Sequence, residues 1–308
     1  MASRLKARAP EEVKPGRIQG VLAGGPGSGK TWLALSFPSC YYIDTEGGAD
    51  LARYQARLKA SGGAYFGREQ GSNDPSAVLE EIQSLTTEKH PYKTLVLDSY
   101  SKLSGTIVGN EQERLGKKDA FGASKKPAIA WARRLMTWLD RVDMNVWLVC
   151  HEQALWEGAG EERKEVGKTA DIWEKFLYEL HLSLQIKAIG KGIREATVTK
   201  SRLEGFPLHD RFYLEKNGQD IGYQEFIARY AASAIEAAVV PVILATAEQC
   251  AEIRRLLDIV KVSEDEQEKW FSKAGVLSLE EFTLEQASKV IEFINKKLPA
   301  VAAVVGGK

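Results

Sequence analysis

Gly24-Gly25-Pro26-Gly27-Ser28-Gly29-Lys30-Thr31 is the stretch that decides how this chain folds. It is a complete G-x-x-x-x-G-K-[ST] string. The chain enters it from the apolar run Ile18 to Ala23 and leaves through Trp32-Leu33-Ala34-Leu35-Ser36-Phe37, with Pro38 as the stop. A strand, a glycine-rich turn and a helix in that order aim backbone N–H groups at one point, which suits phosphate oxygens. In that arrangement the Lys30 ammonium reaches the β- and γ-phosphates and the Thr31 hydroxyl ligates Mg2+. The eight residues, with Trp32 behind them, are therefore expected to bind a nucleoside triphosphate.

Working outward, the 308 residues are 44% hydrophobic, enough for one large domain and a smaller one. Forty-two basic residues balance 42 acidic ones, so any nucleic-acid contact must come from local patches rather than a global field. Cys40, Cys150 and Cys250 lie far apart in apolar contexts and read as buried thiols. No metal-ligand spacing joins them to His90, His151, His181 or His209, which argues against zinc. Residues 1 to 16 carry Arg4, Lys6, Arg8 and Lys14 without an apolar segment, so they read as a flexible basic arm and not a secretory signal. No run approaches a membrane span, and the expected location is the cytoplasm.

Past the loop, short apolar runs alternate with helical patterns: Cys40 to Asp44, Thr94 to Asp98 and Val146 to Cys150 as strands, Ser76 to Thr87 and Ile129 to Val142 as helices. That alternation predicts an α/β core with a mostly parallel sheet flanked by helices. Leu180 to Ile189 and Glu195 to Arg202 predict two further strands around Gly190-Lys191-Gly192, and Gly222 to Val240 a closing helix. The core is expected over 17–240. Beyond Pro241 the pattern is helical, with capping boxes starting at Thr246, Ser263 and Thr283, which predicts a small all-α module over 243–298 and a tail over 299–308.

Two segments add chemistry to the loop. Thr94-Leu95-Val96-Leu97-Asp98 is an apolar strand ending in a carboxylate, placed to hold the Mg2+ shell beside Thr31. Tyr41-Tyr42-Ile43-Asp44-Thr45-Glu46 ends another strand with acids, where a water-orienting base for hydrolysis belongs. These motifs resemble the RecA/RadA recombinase ATPases, in which a strand ending in I-D-x-E supplies the catalytic Glu. The resemblance implies a RecA-like P-loop NTPase core with ATP and Mg2+, and Glu46 as the water-activating residue, Asp44 being the competing choice. It also implies that His151 or Gln153, after the strand Trp147 to Cys150, senses the γ-phosphate. Lys200 and Arg202, two apart on a strand and so sharing a face, would reach a neighbouring subunit's ATP, as paired cations do in that family. The combination of G-x-P-G-S-G-K-T, Y-x-I-D-T-E-G-G and L-D-S looks like phage-encoded RecA-like ATPases of single-strand annealing and recombination. The implied partners are single-stranded DNA and further copies of the chain in a filament or ring. The helical module is a candidate site for a single-strand-binding protein.

Two stretches could touch that DNA. Lys117, Lys118, Lys125 and Lys126 flank Phe121, cations around an aromatic that suit phosphate contact with base stacking. Arg163, Lys164 and Lys168 lie in 157–168, among four Glu that oppose a phosphate backbone. Two other readings stay open. One is a P-loop ATPase with a different DNA-metabolism role, such as a helicase loader or packaging factor; the other is a nucleotide-regulated binding module with little hydrolysis.

Overall fold

The computed structural model describes residues 15–48, 52–119, 122–158 and 162–298. The arm expected over 1–16 (apart from Pro15 and Gly16), the tail over 299–308, and Phe121 lie outside them. The strands are β1 (Gln19–Ala23), β2 (Cys40–Asp44), β3 (Ala64–Phe66), β4 (Thr94–Asp98), β5 (Asn145–Cys150), β6 (Glu152–Glu157), β7 (Lys164–Ala170), β8 (Leu182–Gly190), β9 (Ile193–Ser201), β10 (Arg211–Lys216) and β11 (Gln219–Asp220). The helices are α1 (Lys30–Ala34), α2 (Ala52–Ala60), α3 (Pro75–Thr87), α4 (Tyr100–Leu115), α5 (Lys125–Leu139), α6 (Phe176–Glu179), α7 (Gly222–Ile227), α8 (Ala232–Ile235), α9 (Ala247–Ile259), α10 (Glu264–Ala274) and α11 (Leu284–Asn295).

The chain divides into two compact units. The first, Met1–Asp74, Pro91–Asn110 and Met144–Val239, carries a sheet ordered β11-β10-β9-β8-β1-β5-β4-β2-β3. From β8 to β3 the neighbours are parallel; β9, β10 and β11 extend the sheet antiparallel. Every residue of β4 and β5 is buried, as expected of central parallel strands covered on both faces. Parallel strands end at the same edge, and the register makes this concrete. Asp44 pairs with Asp98, Asp98 with Val149, and Ala23 with Cys150. The segments following β1, β2, β4 and β5 therefore leave the sheet side by side. Beneath them Phe37, Trp147 and Phe226 meet edge to face at 5.0–5.6 Å in the core.

Two expectations need correction here. Gly222 to Val240 is not one helix but α7 and α8, each short. The Arg17 guanidinium donates to the carbonyls of Ala234, Ala237 and Ala238, and the Asn145 amide to that of Ile235. Carbonyls taken by side chains from elsewhere in the fold need no further helical turn. The segment 157–168 is also not simply a loop. β6 and β7 pair antiparallel as a hairpin, so Lys164 and Lys168 are strand residues.

The second unit, Pro75–His90, Glu111–Asp143 and Val240–Lys308, contains α3, α5 and α9 to α11. Ile253, Leu256, Phe282, Ala287 and Ile294 form a buried core, each large apolar side chain contributing up to about 2–3 kcal/mol. Thr246 and Thr283 cap α9 and α11 through the reciprocal Gln249 and Gln286 contacts expected of capping boxes. The Ser263 box does not close. Glu266, which should complete it, pairs instead with Lys297 at 2.7 Å. Among the described residues no helix is long and apolar enough to cross a membrane.

Candidate nucleotide site

The loop between β1 and α1 is held tightly. A Cβ on Gly24 would stand 2.4 Å from the Ile186 carbonyl oxygen, so no larger residue fits. Gly29 has φ +104°, a left-handed conformation that favours glycine. The Lys30 ammonium donates to the carbonyls of Gly24 and Gly25 at 2.8 and 3.0 Å, curling over the loop it belongs to. Burial lowers its pKa, opposed by the negative charges of Asp98, Glu46 and Glu152. Those acids come from three different strand ends, so the sheet edge concentrates carboxylates around one cation.

The Thr31 hydroxyl donates to Asp98 Oδ2 at 2.5 Å, and the buried Tyr42 hydroxyl donates to the same oxygen at 3.1 Å. Burial pushes the Asp98 carboxyl up to about 6; the Thr31 hydrogen bond opposes that rise and the Glu46 charge adds to it. A hydroxyl and a carboxylate oxygen are the hard donors Mg2+ takes. Among the described residues no group of three or more His, Cys, Asp or Glu could hold a metal alone. The pair thus fits an ion that fills its remaining positions with phosphate and water.

Asp44 and Glu46, open alternatives in the sequence, occupy different environments. Asp44 is fully buried, and its Oδ1 accepts from the N–H groups of Glu46 and Gly47 at 2.9 and 2.8 Å, an Asx turn that bends the chain out of β2. Glu46 is the part-exposed acid that this turn presents. Its Oε1 accepts from Ser99 Oγ at 2.7 Å and lies 2.6 Å from His151 Nε2. Burial would raise the Glu46 pKa, but the Ser99 and His151 hydrogen bonds and the nearby His151 and Lys102 charges outweigh it and hold the carboxyl below its usual value.

His151 therefore joins this cluster, while Gln153 turns to the hairpin, donating to the Ala170 carbonyl at 3.3 Å. Glu152 was not foreseen. It accepts from Gln185 at 2.8 Å and comes within 3.5 Å of a Cβ built on Gly25. No apolar alternation in 152 to 157 marks the strand; the β6–β7 pairing separates Glu152 from Gln153 by face.

A second unforeseen feature borders the loop, a cavity of about 300 Å3 touching Gly27, Gly29, Trp32, Tyr54, Arg194 and Asp220. The Trp32 indole donates to Asp220 at 2.8 Å, and the Arg57 guanidinium lies 4.1 Å over its ring.

Lys200 and Arg202 lie apart from this cluster. Lys200 is register partner to Ser183, and Ser201 to Leu182, which pairs with Gly20. Lys200 and Arg202 thus sit near the edge where β1 begins, four residue steps or about 13 Å from Gly24 along the strand. Lys200 Nζ is buried with no hydrogen-bond partner among the described residues, and burial together with Arg202 brings its pKa down to about 8. Lys117 and Lys118 in a 3-10 turn, and Lys125 and Lys126 opening α5, are exposed and belong to the second unit. On the hairpin, the Arg163 guanidinium lies 5.0 Å over the ring of Trp156, itself 47% exposed, and Lys168 pairs with Glu165 at 3.1 Å.

A strand-to-helix glycine loop whose terminal hydroxyl binds the acid of a second parallel strand, with another strand between them, defines a P-loop NTPase domain. The chain belongs to the AAA domain family AAA_24, whose model matches residues 17–211. Among solved structures, one described as the RadB recombinase aligns with a TM-score of 0.42 at 19% identity, over 65% of this chain and 87% of that one. No curated protein matches the sequence.

Proposed function

We propose that this chain is a Mg-ATP-dependent ATPase that acts on single-stranded DNA in phage recombination or strand annealing. The observation that carries the hydrolytic part is the Thr31–Asp98 hydrogen bond beside Lys30, whose ammonium feels the negative charges of Asp98 and Glu46. Lys30 and the loop amides neutralise the β- and γ-phosphates. Thr31 and Asp98 would hold Mg2+, which would supply Lewis-acid withdrawal of charge from the phosphate oxygens. Glu46 orients the attacking water and accepts its proton at the carboxylate, while His151 and Ser99 fix the direction in which that carboxylate points.

The DNA part rests on exposed cations beside aromatics. The hairpin offers Arg163 stacked on Trp156, the lysines at 117, 118, 125 and 126 offer phosphate contacts, and base stacking on such a tryptophan is tolerant of sequence. Lys200 and Arg202 lie too far from their own loop to serve it, which supports action on the nucleotide of a second copy. A single-strand-binding protein would dock on the helical module.

Measuring ATP turnover in Mg2+ with and without single-stranded DNA tests this reading. Strong stimulation is expected. Turnover indifferent to DNA would replace the proposal with an ATPase of another task, and binding without turnover would replace it with a regulated binding module.

A further inference from the structure

The glycine loop has two flanks. Glu46, Asp98 and His151 stand on one, at the ends of β2, β4 and β5. The β8–β9 hairpin covers the other, since β8 neighbours β1 on the side away from β5. Arg194, near the start of β9, lies against the loop there: a Cβ on Gly29 would stand 2.7 Å from Arg194 Cδ and 3.2 Å from its Nε. Only a glycine lets the arginine stem come this close.

Its guanidinium pairs with Glu215, its register partner on β10. That pair does not satisfy the group. Arg194 Nε is shut off from solvent and has no hydrogen-bond partner among the described residues. The side chain as a whole is 36% exposed, but an N–H shut off from solvent and left unsatisfied is unfavourable, and the Glu215 pair alone gives no reason for it. Arg194 and Glu215 both line the 300 Å3 cavity that runs along Gly27, Gly29 and Trp32.

We propose that Arg194 is a phosphate ligand supplied by the same chain, engaging the diphosphate portion that ATP and ADP share. This rests on the nucleotide reading of the loop given above. The choice of phosphates follows from the polarity of the site. Lys30, Asp98 and Glu46 mark the γ end, and Arg194 stands on the opposite flank, with Trp32 beyond it. Glu215 holds the guanidinium in place before the nucleotide arrives and shares it afterwards. A planar fork of donors suits two acceptors at once.

Direct binding of fluorescent ADP and ATP analogues in Mg2+, with the full chain, tests this. Arg194→Ala is expected to weaken both nucleotides by a similar factor, roughly tenfold or more. Arg194→Lys should recover part of the loss. Glu215→Gln should weaken both nucleotides by a similar but smaller factor, because the guanidinium is then no longer held in place. The two conservative variants preserve side-chain volume, so they decide the matter if Arg194→Ala fails to fold. Wild-type affinity in Arg194→Ala, or a loss confined to ATP, would overturn the proposal while a dead Lys30→Ala left the loop reading intact. Undiminished binding in Lys30→Ala would overturn the loop reading and this proposal together.

Discussion

His151 Nε2 lies 2.6 Å from Glu46 Oε1, the same oxygen that accepts from Ser99, so two donors from different strand ends hold one carboxylate. Its neighbours add to what solvent does in keeping Glu46 ionised. Burial alone would raise its pKa, and the Ser99 and His151 contacts reverse the sign.

Removing one of those donors should move the acid limb of activity. His151→Ala is expected to raise the Glu46 pKa, so that ATP turnover begins to fail at a higher pH than in the wild type. The profile of kcat/KM against pH measures this. An unshifted acid limb would mean that His151 does not act on Glu46 in the working enzyme.

Asp98 carries the opposite sign. Its folded pKa is raised, to about 6 from an ordinary 3.8, so its contribution to stability is present in full below the unfolded value. It is lost as pH rises through the folded one. Without nucleotide, Asp98→Asn should melt higher than the wild type at pH 8, by up to about 3 kcal/mol on the size of that shift. The gap should close toward pH 4. Mg2+-dependent nucleotide stabilisation should vanish in the same variant. Calorimetry across pH, with and without Mg-ATP, checks both halves.

The loop lysine and the proposed base should separate binding from chemistry. Lys30→Ala is expected to abolish nucleotide binding or turnover. Glu46→Gln should bind ATP normally while turnover drops about 10²–10⁴-fold, the usual contribution of a general base. Equilibrium binding set beside single-turnover hydrolysis distinguishes them, and full activity in Glu46→Gln would remove that residue from its role.

The DNA assignment is testable without touching the nucleotide site. Alanine at Lys117, Lys118, Lys125 and Lys126 together should weaken single-strand binding and flatten its salt dependence, since fewer counterions are released. Trp156→Ala should weaken binding by about 1–3 kcal/mol with the salt slope nearly unchanged, because stacking rather than charge is lost. Titrations between low and high salt read both slopes.

Local pattern carried much of this far. Cys40 to Asp44 and Thr94 to Asp98 are strands at the bounds their apolar runs predict, because buried parallel strands leave a continuous signature that nothing distant disturbs. The helix expected up to Val240 stops at Ile235, where the carbonyls of Ala234, Ile235, Ala237 and Ala238 are claimed by Arg17 and Asn145, more than 80 residues away in sequence. The β6–β7 hairpin went unseen because its strands are mostly exposed and lack a clean apolar alternation.

The sequence by itself determined the loop Gly24 to Thr31, the strands β1, β2, β4 and β5 around it, and the acids at the ends of β2 and β4. These are local properties of composition and spacing. Only the tertiary structure decided which acids meet which donors. Strand register brings Asp98 to Thr31 and leaves Asp44 to turn the backbone. It turns Glu152 rather than Gln153 toward the loop, places Arg194 against Gly29, and sets Lys200 and Arg202 at the far edge. Side-chain meeting depends on sheet order and pairing, and those are settled by packing between segments that are distant along the chain.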